Sequence, residues 1–295
     1  MTSQFKMAGI MGRVKNPGII ETLQALIAYL RSIHQEFIVE AETADSLNDT
    51  SIPTIARQEL CTCCDLLIVV GGDGSLLHAT HTVADCEIPV LGINRGRLGF
   101  LTDILPKELK KIEAILGGNY ILEKRFLLTA TVDHQGVILG QHNALNEVAL
   151  IPNSMPHMNE FEIYINDQFV CSQDSDGVII ATPTGSTAYA LSGGGPILHP
   201  QLNAIVIVPM FPHTLSMRPI VIDGSHQITI AISPKNTATP RLACDSQAIV
   251  SAPPGSYIHI QKKPEHLHLI HPLDYDYYAS LRSKLHWGRK LHYSE

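Results

Sequence analysis

An open, doubly wound (Rossmann-like) α/β domain followed by a mainly antiparallel β domain is the architecture this sequence predicts, and three observations carry it. Apolar runs of strand length alternate with helix-period stretches through the first part of the chain. After Arg125 the texture changes to period-two alternation split by turn residues. The 295 residues suit two domains of roughly 150 residues each.

Taken in order, Phe5 to Met11 reads as a strand. Asn16-Pro17 then supplies an N-cap and an N1 proline for a helix whose Ile19, Ile20, Leu23, Leu26, Ile27, Leu30 and Ile33 recur at helical spacing. Phe37 to Val39 returns as a strand, Ile55 to Leu60 is helix-like, and Asp65 to Val70 is a continuous apolar run of buried-strand length, a pattern that Val90 to Ile93 repeats. Strands separated by helical stretches favour parallel βαβ units. Beyond them, Phe161 to Ile165, Gln227 to Ile232 and Ser256 to Ile260 alternate with period two, with turns at Asn166-Asp167 and Asp223-Gly224. The expected organisation is therefore an α/β domain over 1–124, a β-rich domain over 125–271, and a tail over 272–295 that forms a helix and packs back on the first domain. No internal repeat or low-complexity segment is present.

Composition excludes several function classes. With 21 basic and 28 acidic side chains the net charge is −7, which opposes a nucleic-acid phosphate backbone. Charged residues are 17% and hydrophobic ones 45%, against a disordered chain and in favour of surface buried between subunits. The first residues, MTSQFKMAGIMGRV, lack the apolar core and cleavage site of a signal peptide, and no apolar run, Ala204 to Met210 included, approaches the ~18 residues of a membrane span. A cytoplasmic protein without membrane or nucleic-acid partners is expected. Cys61, Cys63 and Cys64 cluster without a second ligand pair, so reduced thiols are expected; the C-x-x-C of Cys61 and Cys64 precedes a strand rather than opening a helix after one. Fifteen histidines include His78/His81 and His266/His268/His271, but no H-E-x-x-H pattern points to a metal.

The chemistry concentrates in two segments. Val69-Val-Gly-Gly-Asp-Gly-Ser-Leu-Leu77 places glycines and an acid at the C-terminal end of a buried strand, where open α/β sheets bind ligands. Glycines permit close backbone approach and the following helix N-terminus offers N–H groups to phosphate, although neither G-x-G-x-x-G nor a lysine-containing P-loop is present. Asp73 beside such a site either caps the helix or has work of its own: holding a cation, accepting a hydroxyl proton or bonding a ribose. The second segment runs from Asp176 to Pro196 and carries Thr182, Thr184, Ser186 and Thr187 around Pro183 and Gly185, then three consecutive glycines. Between the two segments, Asn146-Glu147 pairs an amide with a carboxylate, a combination able to read a base edge and ribose hydroxyls.

Together these segments resemble the NAD kinase family over nearly the whole chain. The likeness rests on GGDG at 71 to 74, NRGRLGFLTD at 94 to 103, NE at 146 to 147, SDG at 175 to 177 and TPTGSTAYALSGGGPI at 182 to 197, with MFPHTLSMRP at 210 to 219 and CDSQ at 244 to 247 similar to bacterial members. GGDG alone also fits diacylglycerol-type lipid kinases and phosphofructokinases; the threonine-rich segment narrows the likeness. The resemblance implies transfer of the ATP γ-phosphoryl group to the 2′-hydroxyl of the adenosine ribose of NAD, giving NADP and so controlling the cellular NADP pool. It implies Asp73 as general base, and Gly72, Gly74, His78, Asn94 and Phe100 among the nucleotide contacts. Asn146 and Glu147 would bind adenosine, and Asp174 and Asp176 would also contact the dinucleotide, Asp176 on its nicotinamide side. Thr187, Ala188, Tyr189, Ala190, Leu191, Ser192 and Gln247 would line the pocket, with His157 approaching from a neighbouring subunit. A divalent ion, Mg²⁺, would ride mainly on phosphate oxygens, and a homodimer or homotetramer is implied.

The chain departs from the family pattern at His78, where many relatives carry Arg or Lys, and at Asp174, where close relatives can carry Arg. Arg95 and Arg97 in the NRGRLGF loop are either a compensating charge or solvated loop residues. A non-catalytic NADP(H) sensor, a lipid kinase and an NAD-dependent oxidoreductase are the competing readings, the last wanting the G-x-G-x-x-G that this chain lacks. Retention of Asp73 speaks against the first and the lack of a membrane-binding stretch against the second.

Overall fold

The computed structural model describes residues 3–13, 17–95, 99–153 and 158–287. The chain forms two compact units, one running to Lys124 and resuming at Leu267, the other Arg125–His266. Asn16, Arg97 and His157 lie outside the described residues.

In the first unit β1 (Ala8–Gly12), α1 (Pro17–Ser32), β2 (Phe37–Glu40), α2 (Ala41–Asp45), β3 (Thr54–Ile55), α3 (Leu60–Cys63), β4 (Leu66–Gly71), α4 (Asp73–Val83), β5 (Val90–Asn94) and α5 (Lys110–Leu116) follow one another. Five parallel strands lie in the order β3-β2-β1-β4-β5. All six residues of β4 are buried, as a continuous apolar run requires when helices cover both faces. Leu23, Leu26 and Leu30 of α1 are fully buried against Ile10, Ile68 and Val70, each such side chain contributing about 1.5–3 kcal/mol. Strand order reverses between β1 and β4, which opens a crevice at their C-terminal ends.

Two expected elements differ. The first strand begins at Ala8 rather than Phe5, because Lys6 and Met7 give their N–H groups to the Asp65 carboxylate at 2.7 and 2.9 Å instead of to a neighbouring strand. The helix expected over Ile55 to Leu60 is divided. Ile55 pairs with Glu40 as β3, Ala56 stays extended, and a 3₁₀ turn over Arg57–Glu59 leads into α3.

The second unit contains β6 (Ile121–His134) from Arg125 onward, β7 (Val137–Ala144), β8 (Glu147–Ile151), β9 (Asn159–Ile165), β10 (Gln168–Ser175), β11 (Gly177–Ala181), α6 (Tyr189–Ser192), β12 (Ala204–Met210), β13 (Ile220–Asp223), β14 (Ile228–Ile232), β15 (Arg241–Cys244), β16 (Ala248–Ser251) and most of β17 (Tyr257–His271). One antiparallel sheet runs β13-β12-β11-β8-β15-β16, and β10-β9-β14-β17 pair antiparallel in another. Period two explains the packing of β11. Val178 and Ile180 enter a core with Phe161, Ile163 and Ile230, while Ile179 and Ala181 enter a second one with Ala190 and Leu198. Burial on both faces fixes the strand that delivers the threonine-rich segment.

β17 begins antiparallel to β14 at Tyr257 to Ile260 and ends parallel to β5 at Leu269-Ile270. The first unit therefore resumes inside a strand, at Leu267, and not at the Pro272 turn where the sequence suggested a boundary. α7 (Tyr277–Leu285) closes the described chain, its N-cap Asp276 accepting from the Tyr278 N–H at 2.9 Å.

The cysteine expectation is corrected in part. Cys61 and Cys86 form a disulfide with Cα atoms 5.7 Å apart, joining α3 to the turn after α4. Cys64 is buried facing Gly9 and keeps its thiol, whose pKa burial pushes up to about 11. The C-x-x-C pair therefore cannot close on itself.

Candidate functional site

Asp73 is the first residue of α4, immediately after its N-cap Gly72. Its carboxylate is held by the loop after β5: Phe100 N–H donates to Oδ2 at 2.9 Å, Leu101 N–H to Oδ1 at 3.1 Å, and the Thr102 hydroxyl to Oδ1 at 3.4 Å. A capping residue bonds the N–H groups of its own helix, whereas Asp73 is oriented by a separate loop. Gly71 has φ +151°, and a Cβ there would run into the Ser75 hydroxyl, so only glycine carries β4 into α4. A Cβ on Gly99 would strike the Asp73 carboxylate itself. Gly72 and Gly74 have open space where a Cβ would stand. Asn94 is 1% exposed at the end of β5, its amide 3.5 Å from the Thr102 carbonyl, so it supports this loop from below. Gly99→Ala should lower turnover about tenfold, since displacements of a few tenths of an ångström at a reacting group already matter. Steady-state kinetics with circular dichroism as the folding control checks this.

Beside α4, at the C-terminal ends of β1, β2 and β4, lies a cavity of about 460 Å³ lined by Gly12, Arg13, Glu40, Arg57, Ser75 and His78 among others. His78 Nε2 is 2.8 Å from an Arg57 guanidinium nitrogen. Arginine only donates, so this imidazole nitrogen is the acceptor of the pair. Arg57 also bonds Glu40 at 3.0 Å and Glu42 at 2.7 Å. Burial works against ionised Glu40, but hydrogen bonds from Thr43 and Arg57 outweigh it and hold its carboxyl below the usual range. The position His78 occupies is thus backed by a permanent positive charge from a different helix turn. Arg95 pairs with Glu21 at 3.0 Å.

In the β unit, Asn146-Glu147 forms the turn into β8. Asp245 accepts three backbone N–H groups from it: Leu145 at 2.8 Å, Asn146 at 2.8 Å and Glu147 at 3.1 Å. Glu147 is 5% exposed, and its Oε2 is buried without a hydrogen-bond partner. Burial, then the Asp245 charge, push its pKa up to about 7 against the opposing Tyr189 N–H, which bonds the carboxylate. That bond ties the threonine-rich segment to the turn.

The hydroxyls of the segment mostly hold the loop together. Thr182 bonds the Leu145 carbonyl at 2.5 Å, Ser186 bonds Pro183 O at 2.6 Å and accepts from Leu198 N at 2.9 Å, and Thr187 bonds Thr184 O at 3.1 Å. Thr184 accepts from buried Arg125 at 3.1 Å. Ala190 is fully buried and packs in the core with Ile179 and Leu198. Tyr189 and Ser192 line an apolar cavity of about 490 Å³ with Ile179, Met210, Phe211 and Met217. Ala188 and Leu191 are half-buried beside them, Asp174 and Gln247 are exposed, and half-buried Asp176 is fixed through its carbonyl by Asn159 at 2.8 Å.

Profiles of known families match both halves: the ATP-NAD kinase N-terminal domain over residues 21–120 and the ATP-NAD kinase C-terminal domain over residues 145–272. The NAD kinase of Coxiella burnetii is 54% identical over 286 residues, covering 97% of this chain and 96% of the relative. This chain belongs to the ATP-NAD kinase family. The NAD kinase of Ectopseudomonas mendocina is 52% identical over 289 residues, 98% of each chain. Among solved structures, yeast NADH kinase complexed with NADH superposes with a TM-score of 0.88 at 26% identity, covering 98% of this chain and 90% of that one. An NAD kinase from Archaeoglobus fulgidus in complex with ATP shares the fold, with a TM-score of 0.71 at 24% identity over 94% of this chain and 99% of that one.

For an ATP-NAD kinase, three side chains that frame these positions escaped sequence reading. Arg57 sits outside every motif and meets His78 only in the fold. Arg125 is a lone arginine in a strand. Asp245 did carry a signal, the CDSQ likeness, but only Gln247 was drawn from it.

Proposed function

We propose that this ATP-NAD kinase family member phosphorylates the 2′-hydroxyl of the adenosine ribose of NAD with ATP, giving NADP and ADP, and that Asp73 is the general base. The observation that best supports the base is the Asp73 carboxylate fixed from the 100–102 loop. Oδ1 accepts two of those bonds and Oδ2 one, so a lone pair of Oδ2 remains for a substrate hydroxyl. As the ribose oxygen bonds the γ-phosphorus, the bond to the β,γ-bridging oxygen breaks and ADP leaves. The hydroxyl proton passes to Asp73, which requires the carboxylate within ~3 Å of that hydroxyl in the complex.

The α/β crevice supports the donor side: Arg13 and Arg57 line it, and α4 opens beside it at Gly72, which provides no side-chain cap. A divalent ion, Mg²⁺ in this reading, would be carried mainly by the phosphates. Its contribution is to neutralise charge on their oxygens. Asn146 and Glu147 serve the adenosine portion, with the partnerless Glu147 Oε2 as the available acceptor. The Tyr189 ring supplies a flat face beside the apolar cavity.

No helix among the described residues is long and apolar enough to cross a membrane, and the reading places the enzyme in the cytoplasm. Phe211 and Leu215, 78% and 96% exposed, support a homo-oligomer, dimer or tetramer. Incubation with NAD, ATP and Mg²⁺ should yield NADP, measured with an NADP-specific dehydrogenase. NAD binding without NADP formation would leave a sensor, and phosphorylation of a lipid alcohol instead would sink the reading.

A further inference from the structure

Asp245 lies at the end of β15 with φ 50°, followed by Ser246 with φ 56°. Asparagine and aspartate are among the few residues with a Cβ that visit left-handed backbone, and this aspartate is 5% exposed with its side chain turned to local N–H groups. That side chain has a visible job: both oxygens are spent on the N–H groups of residues 145 to 147. The turn is held from a second direction as well. Asp245 N–H donates to the Glu147 carbonyl at 3.0 Å, so the two turns are locked reciprocally.

The same geometry places two carboxyl groups in one buried place. Glu147 faces Asp245 and the Cys244 thiol from β15, and the Tyr189 backbone N–H from α6. β11, its neighbour on the other side, brings only the apolar Val178 to Ala181. The Cys244 thiol is pushed up to about 12 by burial and by both acids, and so keeps its proton at neutral pH.

We propose that Asp245 is the positioning residue of the adenosine-binding turn, fixing Asn146 and Glu147 through its N–H bonds and, through its charge, making dinucleotide binding proton-linked at Glu147. The inference rests on the reading that this turn takes the adenosine ribose. A ribose hydroxyl donating to Glu147 favours the carboxylate, because hydrogen bonds to an ionised acceptor are the stronger ones. NAD binding therefore releases a proton from Glu147 near neutrality, and affinity rises as pH increases through about 7, the value to which burial and Asp245 bring this group.

The test is calorimetric titration of NAD into the whole protein from pH 5.5 to 8.5 in buffers of different ionisation enthalpy, beside steady-state kinetics. Wild type should bind more tightly at high pH and release a fraction of a proton near pH 7. Asp245→Asn, nearly isosteric, should move the affinity inflection to lower pH and suppress that release. Asp245→Ala should raise KM for NAD about tenfold with a smaller change in kcat, the pattern of lost binding shared by ground and transition states. If Asp245→Ala fails to fold, Asp245→Asn still decides. An unmoved inflection in Asp245→Asn, or pH-independent wild-type binding without proton release, would overturn the proposal. NAD binding without NADP production would sink the catalytic reading alone, and absence of NAD binding would sink both.

Discussion

Asp73→Asn should bind NAD within a few-fold of wild type yet turn over about 10²–10⁴ times more slowly, the range that a positioned general base contributes. The amide has nearly the shape of the carboxylate, and its oxygen can still accept from Leu101 N–H and the Thr102 hydroxyl. Its NH₂ group then faces the Phe100 N–H, which donated to Oδ2. Two donors now meet, at a cost of about 1–3 kcal/mol for the unsatisfied group. A thermal melt run beside the kinetics separates that structural cost from the chemical one. Loss of turnover with a melt only slightly lowered and NAD affinity retained is the expected combination. Equal turnover by both proteins would remove Asp73 from the chemistry and leave it a loop anchor.

Much of this site's scaffold is legible in the sequence. GGDG after an apolar run announces a strand, a tight exit and a helix start, and that is what β4, Gly71 and α4 make. Period two in β9, β14 and β17 exposed the antiparallel domain in the same way. What stayed hidden depends on contacts distant in sequence. Phe100 to Thr102 reach Asp73 across 27 to 29 positions, Arg57 reaches His78 across 21, and Asp245 reaches the 145–147 turn across 98 to 100. No local periodicity encodes such pairs. The dense hydroxyls of Thr182 to Thr187 mark a chemistry-bearing loop, and in the fold Ser186 and Thr187 close it on its own carbonyls while Thr182 ties it to the Leu145 carbonyl. The Cys61–Cys86 bond was likewise out of reach, since only the packing of α3 beside α4 brings the two residues together.

His271→Ala should destabilise the protein by about 3–5 kcal/mol, the cost of breaking a buried ion pair by removing one partner. His271 is fully buried at the end of β17, with Nδ1 on the Asp103 carboxylate and Nε2 3.0 Å from Glu123 Oε2. Both ring nitrogens face acceptors, and only imidazolium can donate twice. Tyr275 stacks on the ring at 3.9 Å between centroids. Burial alone would lower the histidine pKa, but the bonds and charges of Asp103 and Glu123 outweigh it and raise the value. The sign then follows. An unfolded histidine titrates near about 6.5, so the contribution is complete below that pH and fades as pH rises through the higher folded value. The stability gap between wild type and His271→Ala should be widest in mild acid and narrow towards alkaline pH, read from denaturant melts at several pH values. A gap that widened with pH would mean that His271 is neutral and the carboxylates are satisfied without it. The consequence reaches Asp73 as well. Asp103 directly follows Thr102, whose hydroxyl bonds Asp73, so the charge that stabilises the end of β17 also pins the loop that aims the carboxylate.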